Sequence, residues 1–241
     1  MREPELHVAN TAEELARACG IFILQEIEEA LKLRPRATLA ISGGSTPKAL
    51  FAFLAQADVD WSRIHIFWVD ERCVPPSDGQ SNFKLASETL LVPAAVPPRN
   101  VHRIWGELTP EEAAIQYIRN IRKFFELDQH QLPVFDVLHR GMGPDAHTAS
   151  LFPGEPLIAN RTGIAAAVWV EKLRSHRVTL LPGVLLAATR TVLEVAGADK
   201  AEALYNVLHG PEDPFQFPCQ IAARDSENAA WFLDKPAASK L

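Results

Sequence analysis

The stretch Ala37-Thr38-Leu39-Ala40-Ile41-Ser42-Gly43-Gly44-Ser45-Thr46-Pro47 decides how the rest of the chain is read. Residues 37–41 form a short, mostly apolar run, which reads as a buried strand. Residues 42–46 are small and turn-forming. A helical pattern then starts at Pro47 and continues through Ala49, Leu50 and Phe51 to Leu54. Proline suits a first helical turn, and Ser45 and Thr46 stand where a cap belongs. Strand, glycine turn and helix are the first part of a βα unit, and the same order recurs along the chain.

Upstream, Thr11 and Glu14 make a capping box for a long amphipathic helix carrying Leu15, Ala18, Phe22, Ile23, Ile27, Ala30 and Leu31. Downstream, Ile64 to Val69 reads as a strand ending in Asp70-Glu71-Arg72. Ser81 to Leu91 is helical between the loops at Pro75-Pro76 and Pro97-Pro98. Thr109-Pro110-Glu111-Glu112 opens a helix reaching Phe125. Val134 to Leu138 is a further strand, as are Ala165 to Val170 and Thr191 to Val195. Helices fall at Pro182 to Ala188 and Lys200 to Leu208. Strands alternating with helices predict an α/β fold: a single Rossmann-like domain over 1–241, its sheet mostly parallel with helices on both faces. Ligands of such sheets lie beyond the carboxyl ends of the strands, so the loops at 42–46, 70–72 and 141–147 are expected to converge on one cleft.

Composition narrows the function. Of 241 residues, 47% are hydrophobic and 22% charged, which supports a packed core rather than disorder. A net charge of -6 argues against a dedicated nucleic-acid binder, yet a few local cations can still hold an anionic small molecule. Cys19, Cys73 and Cys219 lack metal-ligand spacing and read as free thiols of a cytoplasmic protein. No signal peptide and no membrane span are expected. No metal and no cofactor is called for.

The loop after the strand at 134–138 runs Gly141-Met142-Gly143-Pro144-Asp145-Ala146-His147. Gly141 and Gly143 let the backbone approach a ligand, and Asp145 with His147 supplies groups that move or steer protons. Gly43, Gly44, Ser45 and Thr46 read either as an anion-binding loop at a helix N-terminus or as a tight turn. Asp70-Glu71-Arg72 reads either as a surface ion-pair cluster or as part of the site, with one carboxylate, Asp70 or Glu71, orienting a sugar hydroxyl or a catalytic group and Arg72 forking a carboxylate, a phosphate or loop backbone. Arg177 adds a cation. Lys200, at the start of a helix, is disfavoured by the helix dipole unless it shares an anion with that end. No serine sits in a GxSxG elbow, so a serine-hydrolase triad is not expected.

With these loops in place, the chain resembles the 6-phosphogluconolactonases. The resemblance is carried by TLAISGGSTPKALF (38–51), FWVDERCVPPSDGQSNFKLASETLL (67–91), VHRIWGEL (101–108) and FDVLHRGMGPDAHTASLFPGEP (135–156). It continues through HRVTL (176–180), GADKAEAL (197–204) and WFLDKPAASKL (231–241). The family is similar in fold to glucosamine-6-phosphate deaminases. The resemblance implies hydrolysis of 6-phospho-D-glucono-1,5-lactone to 6-phosphogluconate, in the oxidative pentose phosphate pathway, without metal or nucleotide. It places the catalytic histidine at His147, its neighbouring acid at Asp145 and the arginine of a VDER motif at Arg72. It matches Arg177 and Lys200 to cationic positions suited to the substrate phosphate. The expected partner is a small sugar phosphate, bound by a monomer or weak homo-oligomer.

The chain departs from that pattern at Ala146, where the family has glycine; a positive φ there would cost roughly 1 kcal/mol or more. It departs also at His139-Arg140, where the family is apolar, and in the spacing of Thr179-Leu180-Leu181-Pro182-Gly183. Two cations at a strand end need partners: either they line the cleft or the strand stops before them. Two rival readings are an amino-sugar phosphate isomerase or deaminase and a non-catalytic sugar-phosphate sensor. The first is disfavoured by Arg72, where those enzymes place tyrosine, and by Thr148-Ala149-Ser150-Leu151-Phe152, which lacks their acid after the histidine.

Overall fold

The computed structural model describes residues 4–221 and 228–241. The chain enters through β1 (Glu5–Ala9), a largely exposed strand, and α1 (Ala12–Leu33), whose Thr11 hydroxyl accepts from the Glu14 amide at 3.1 Å. Then follow β2 (Ala37–Ile41), buried at every residue, and α2 (Pro47–Leu54). β3 (Ile64–Trp68) passes through Val69 into β4 (Asp70–Arg72). The next elements are α3 (Asn82–Ala86), extended by a wider π-type turn over Ser87–Leu91, then β5 (Val101–His102) and α4 (Pro110–Phe125). β6 (Val137–Gly141), β7 (Ala165–Val170), β8 (Ser175–Leu180) and α5 (Pro182–Ala187) lead to β9 (Arg190–Val195), α6 (Ala201–His209) and β10 (Ala229–Asp234).

Seven strands make one parallel sheet in the order β1-β10-β9-β6-β2-β3-β5. Helices cover both faces, as expected, and the side chains show why. Along β9 and β10, Val192 and Phe232 enter one core with Leu15, Ile23 and Leu50. Their neighbours Leu193, Val195, Trp231 and Leu233 enter a second core with Leu204 and Val207 of α6. This is the period-two alternation of a strand buried on both sides. From β2 the chain builds outward through β3 and β5, whereas β6, β9 and β10 build in the opposite direction. The loops after β2 and β6 therefore flank the point where strand order reverses, the usual crevice of an open α/β sheet.

A second sheet, antiparallel β4-β8-β7, corrects the expected loop at 70–72. Val69 joins the two sheets: its N–H donates to Ile41 of the main sheet at 2.8 Å, and its carbonyl accepts from Leu180 at 2.8 Å. The pairing sets Arg72 beside Arg177 and Asp70 beside Thr179. The strand expected at 134–138 is also corrected. Val134 is half exposed and ladder pairing starts at Val137, so His139 and Arg140 lie inside β6 rather than beyond it.

Candidate active site

The loop after β2 bends over α3. A Cβ on Gly43 would meet Asn82 Oδ1 at 1.9 Å, so only glycine allows this approach. Asn82 is itself held by Glu71 and Asp70. Glu71 accepts hydrogen bonds from the amides of Arg72, Asn82 and Phe83 and from the Ser81 hydroxyl. Burial nonetheless pushes its carboxyl above the ordinary value. Asn82 Nδ2 donates to the Asp70 carbonyl at 2.8 Å. Because β4 is a strand, Asp70 and Arg72 turn to the cleft while Glu71 turns to α3. The three charges of this strand thus have separate tasks, and none is a simple surface ion pair.

Thr46 adopts helical backbone angles and makes no side-chain cap at α2, a correction to the capping expected from the sequence. The N-terminal turn of α2 thus has no hydroxyl cap closing it. Ser45 and Thr46 instead line a cleft of about 170 Å³ with Ser42, Gly43, Gly44, Asp70, Arg72, Asn82, Gly141, Met142, His147, Ala149, Arg177, Glu194 and Lys200. The three expected segments do converge. Asp145 and Gly143 are the two expected site residues that stand behind the wall rather than in it.

They stand there to hold His147. Its Nδ1 lies 2.5 Å from Asp145 Oδ1, and Lys172, from the β7–β8 hairpin, donates to Asp145 Oδ2 at 2.8 Å. Burial would raise the Asp145 carboxyl, but the hydrogen bonds from His147 and Lys172 outweigh it and hold it well below the usual carboxylate range. The imidazole stacks on Phe152 with centroids 4.1 Å apart. A Cβ on Gly143 would meet His147 Nδ1 at 2.0 Å, so glycine is required for the loop to fold under the ring. The loop also needs a left-handed residue before the histidine: Ala146 has φ 62° and is buried, its carbonyl accepting from the Cys219 amide at 2.9 Å. Arg140 braces the same loop from below, donating to Thr148 Oγ1 at 3.0 Å and to the Ile221 carbonyl.

The cations are spread along the wall. Arg177 Nη1 lies 3.9 Å from Asp70 Oδ2, which also accepts from the Ser150 hydroxyl at 2.6 Å. Arg72 donates to the Gln80 carbonyl. Lys200 ends a 3₁₀ turn before α6 and donates to the Ala196 carbonyl at 2.7 Å. Buried polar atoms without a hydrogen-bond partner among the described residues collect here: Ser42 Oγ, Arg72 Nε, Asn82 Oδ1, Arg177 Nε and Glu194 Oε1. Such atoms are rare in folded proteins and mark surfaces made to meet a polar ligand or water.

The sequence reading missed Lys172, Phe152, Asn82 and Glu194. Lys172 and Phe152 join the site only through tertiary contact. Glu194 did leave a signal, an acid within the apolar run Thr191–Val195.

Comparison with known proteins shows the family and the fold. The family described as glucosamine-6-phosphate isomerases/6-phosphogluconolactonase matches residues 10–231. The chain belongs to this family. Among curated relatives, a 6-phosphogluconolactonase of Nostoc sp. is 34% identical, covering 94% of this chain and 93% of its own length. One from Treponema pallidum is 36% identical over 81% of this chain and 82% of its own. A crystal structure of devB protein, 32% identical, superposes with a TM-score of 0.88 over 98% of this chain and 99% of that one. Within this isomerase and lactonase family, the fold is thus in familiar company.

Proposed function

We propose that this chain hydrolyses 6-phospho-D-glucono-1,5-lactone to 6-phosphogluconate, with His147 as general base. The observation that carries the reading is the Lys172–Asp145–His147 chain. An ionised Asp145 accepts from Nδ1–H, so a neutral His147 keeps its lone pair on Nε2, the nitrogen available to the cleft. In the reaction Nε2 takes a proton from water, whose oxygen bonds to the lactone carbonyl carbon. The oxyanion forms near backbone N–H groups of the 43–46 or 141–143 loops. The bond from that carbon to the ring oxygen then breaks, and the imidazolium returns its proton to the departing oxygen. Arg72, Arg177 and Lys200 supply positive charge for the phosphate, and Gly43 to Thr46 line its approach at the start of α2.

The curated relatives named above carry this activity in their names. Arg72 and the non-acidic run after His147 favour it over amino-sugar phosphate chemistry, and an intact proton-moving group favours an enzyme over a sensor. We further read 1–241 as one domain of a cytoplasmic protein, in keeping with its three free thiols. We read it as a monomer or weak homo-oligomer that binds a small sugar phosphate. No helix among the described residues is long and apolar enough to cross a membrane.

The deciding experiment is a coupled assay: fresh lactone, product read by 6-phosphogluconate dehydrogenase, spontaneous hydrolysis subtracted. Acceleration over that background is expected; its absence overturns the reading in favour of a sensor. Release of ammonia from glucosamine 6-phosphate would instead place the chain with the deaminases.

A further inference from the structure

Beneath the cleft lies a second histidine–carboxylate pair that the proposed mechanism does not use. His139 of β6 and Glu194 of β9 sit on neighbouring parallel strands, with His139 Nε2 3.2 Å from Glu194 Oε2. Both side chains are buried, at 0% and 1% exposure. Phe51 of α2 meets the His139 ring edge-on, with centroids 6.4 Å apart. A carboxylate withdrawn from water needs both oxygens served. Asp136 shows what this looks like when the role is structural: one oxygen takes the Thr38 amide and hydroxyl at 2.8 Å each, and the other pairs with Arg34. Glu194 differs. Its Oε2 meets His139, its Oε1 has no partner among the described residues, and the residue lines the cleft.

The chemistry of that free oxygen selects its ligand. A carboxylate repels phosphate and a lactone carbonyl, and it accepts a hydrogen bond from a hydroxyl. We propose that Glu194, braced by His139, reads a secondary hydroxyl of the phosphosugar lactone and so sets selectivity among sugar acids. The inference rests on the lactonase reading above. It makes Glu194 a binding residue and His139 a positioning residue, neither of them a base. A buried acceptor of this kind discriminates against the substrate analogue that lacks its hydroxyl, because the carboxylate is then left unmet.

The test compares wild type with the double variant His139→Leu/Glu194→Leu, which removes the pair while keeping the site apolar and filled. Substrates are 6-phosphogluconolactone and its 2-, 3- and 4-deoxy analogues. The expected result is a loss in kcat/KM of about 10- to 100-fold on the full lactone, as for a hydrogen bond to a charged group. On one deoxy analogue, variant and wild type should become equal. An undiminished kcat/KM, or a loss of the same size on every analogue, overturns the proposal. If the double variant does not fold, Glu194→Gln carries the same comparison, with a smaller loss confined to the same substrates. A wild type that does not accelerate hydrolysis sinks the lactonase reading instead. Calorimetric binding of 6-phosphogluconate and its deoxy congeners then still decides the contact. Equal binding of all congeners, or none, overturns it.

Discussion

Two regions at the rim of the main sheet hold a histidine with a polar partner beside a hollow, and the partners differ. At the switch point, His147 partners a carboxylate and lines a polar cleft of about 170 Å³. At the far edge, His65 Nδ1 meets His102 Nε2 at 3.0 Å, and His102 Nδ1 meets Asn120 Oδ1 at 3.3 Å. The nearby grooves are larger, about 490 Å³ and 390 Å³, the first lined chiefly by apolar residues such as Leu91, Val92, Pro97 and Trp105. Size therefore points the wrong way, and the partner decides. The Asn120 carbonyl oxygen can only accept, so in the neutral form His102 donates from Nδ1 and accepts at Nε2 from His65 Nδ1–H. Burial lowers His102 and brings His65 down to about 4. His147 meets an acid and opens on the cleft, whereas His65 and His102 meet each other among phenylalanines, as structural groups do.

The comparison breaks most sharply at His147. His147→Ala should lower kcat by about 100- to 10,000-fold with little change in KM, as for loss of a general base; lactone hydrolysis near the wild-type rate would remove the assignment. Asp145→Asn should cost about 10- to 100-fold in kcat, the worth of a hydrogen bond to a charged group. An unchanged kcat would mean that the carboxylate does not set the ring. Arg177→Ala and Lys200→Ala should each raise KM about tenfold while sparing kcat, and steady-state kinetics in which neither moves KM would take the phosphate away from them.

How much of this was legible beforehand varied with burial. Residues 37–54 announced themselves, because a strand buried at every residue leaves a mostly apolar run before its glycine turn. β1 gave no such sign, since four of its five residues are exposed. β8 left no strand signal in the sequence because His176 and Arg177 interrupt it; it serves a small sheet that no local pattern reveals. The same bias ended β6 too early. His139 and Arg140 look like loop residues until Glu194, Thr148 and the Ile221 carbonyl are brought to them by folding. Ala146, by contrast, was flagged correctly as a position where backbone angle matters, and its φ is indeed positive.

The edge pair predicts a smaller, pH-dependent effect. His65 has a folded value near 4 against an ordinary 6.5, so the unfolded chain binds more protons between these limits. Stability supplied by the neutral ring is complete above about 6.5 and is lost as pH falls towards 4. Denaturant midpoints of wild type should drop over this window more than those of His65→Leu; parallel curves would deny the pair its structural role. Smallest of all is Ala146→Gly. Relief of a left-handed alanine, worth about 1–2 kcal/mol, is offset by a lost methyl of about 0.8 kcal/mol and by glycine entropy. Melting temperature and kcat should barely move. Ala146→Val, branched at a left-handed position, should be clearly less stable.

Val69 carries a consequence for how this wall tolerates change. Its amide belongs to one sheet and its carbonyl to the other, so the chain between them has no slack. One inserted residue there would exchange the faces of β4, turning Glu71 to the cleft and Asp70 and Arg72 away. Substitutions along β4 can be absorbed one at a time, but an insertion or deletion of a single codon would invert the charge pattern of the wall at once. The spacing between the two sheets is thus inherited as a length, independent of any side chain.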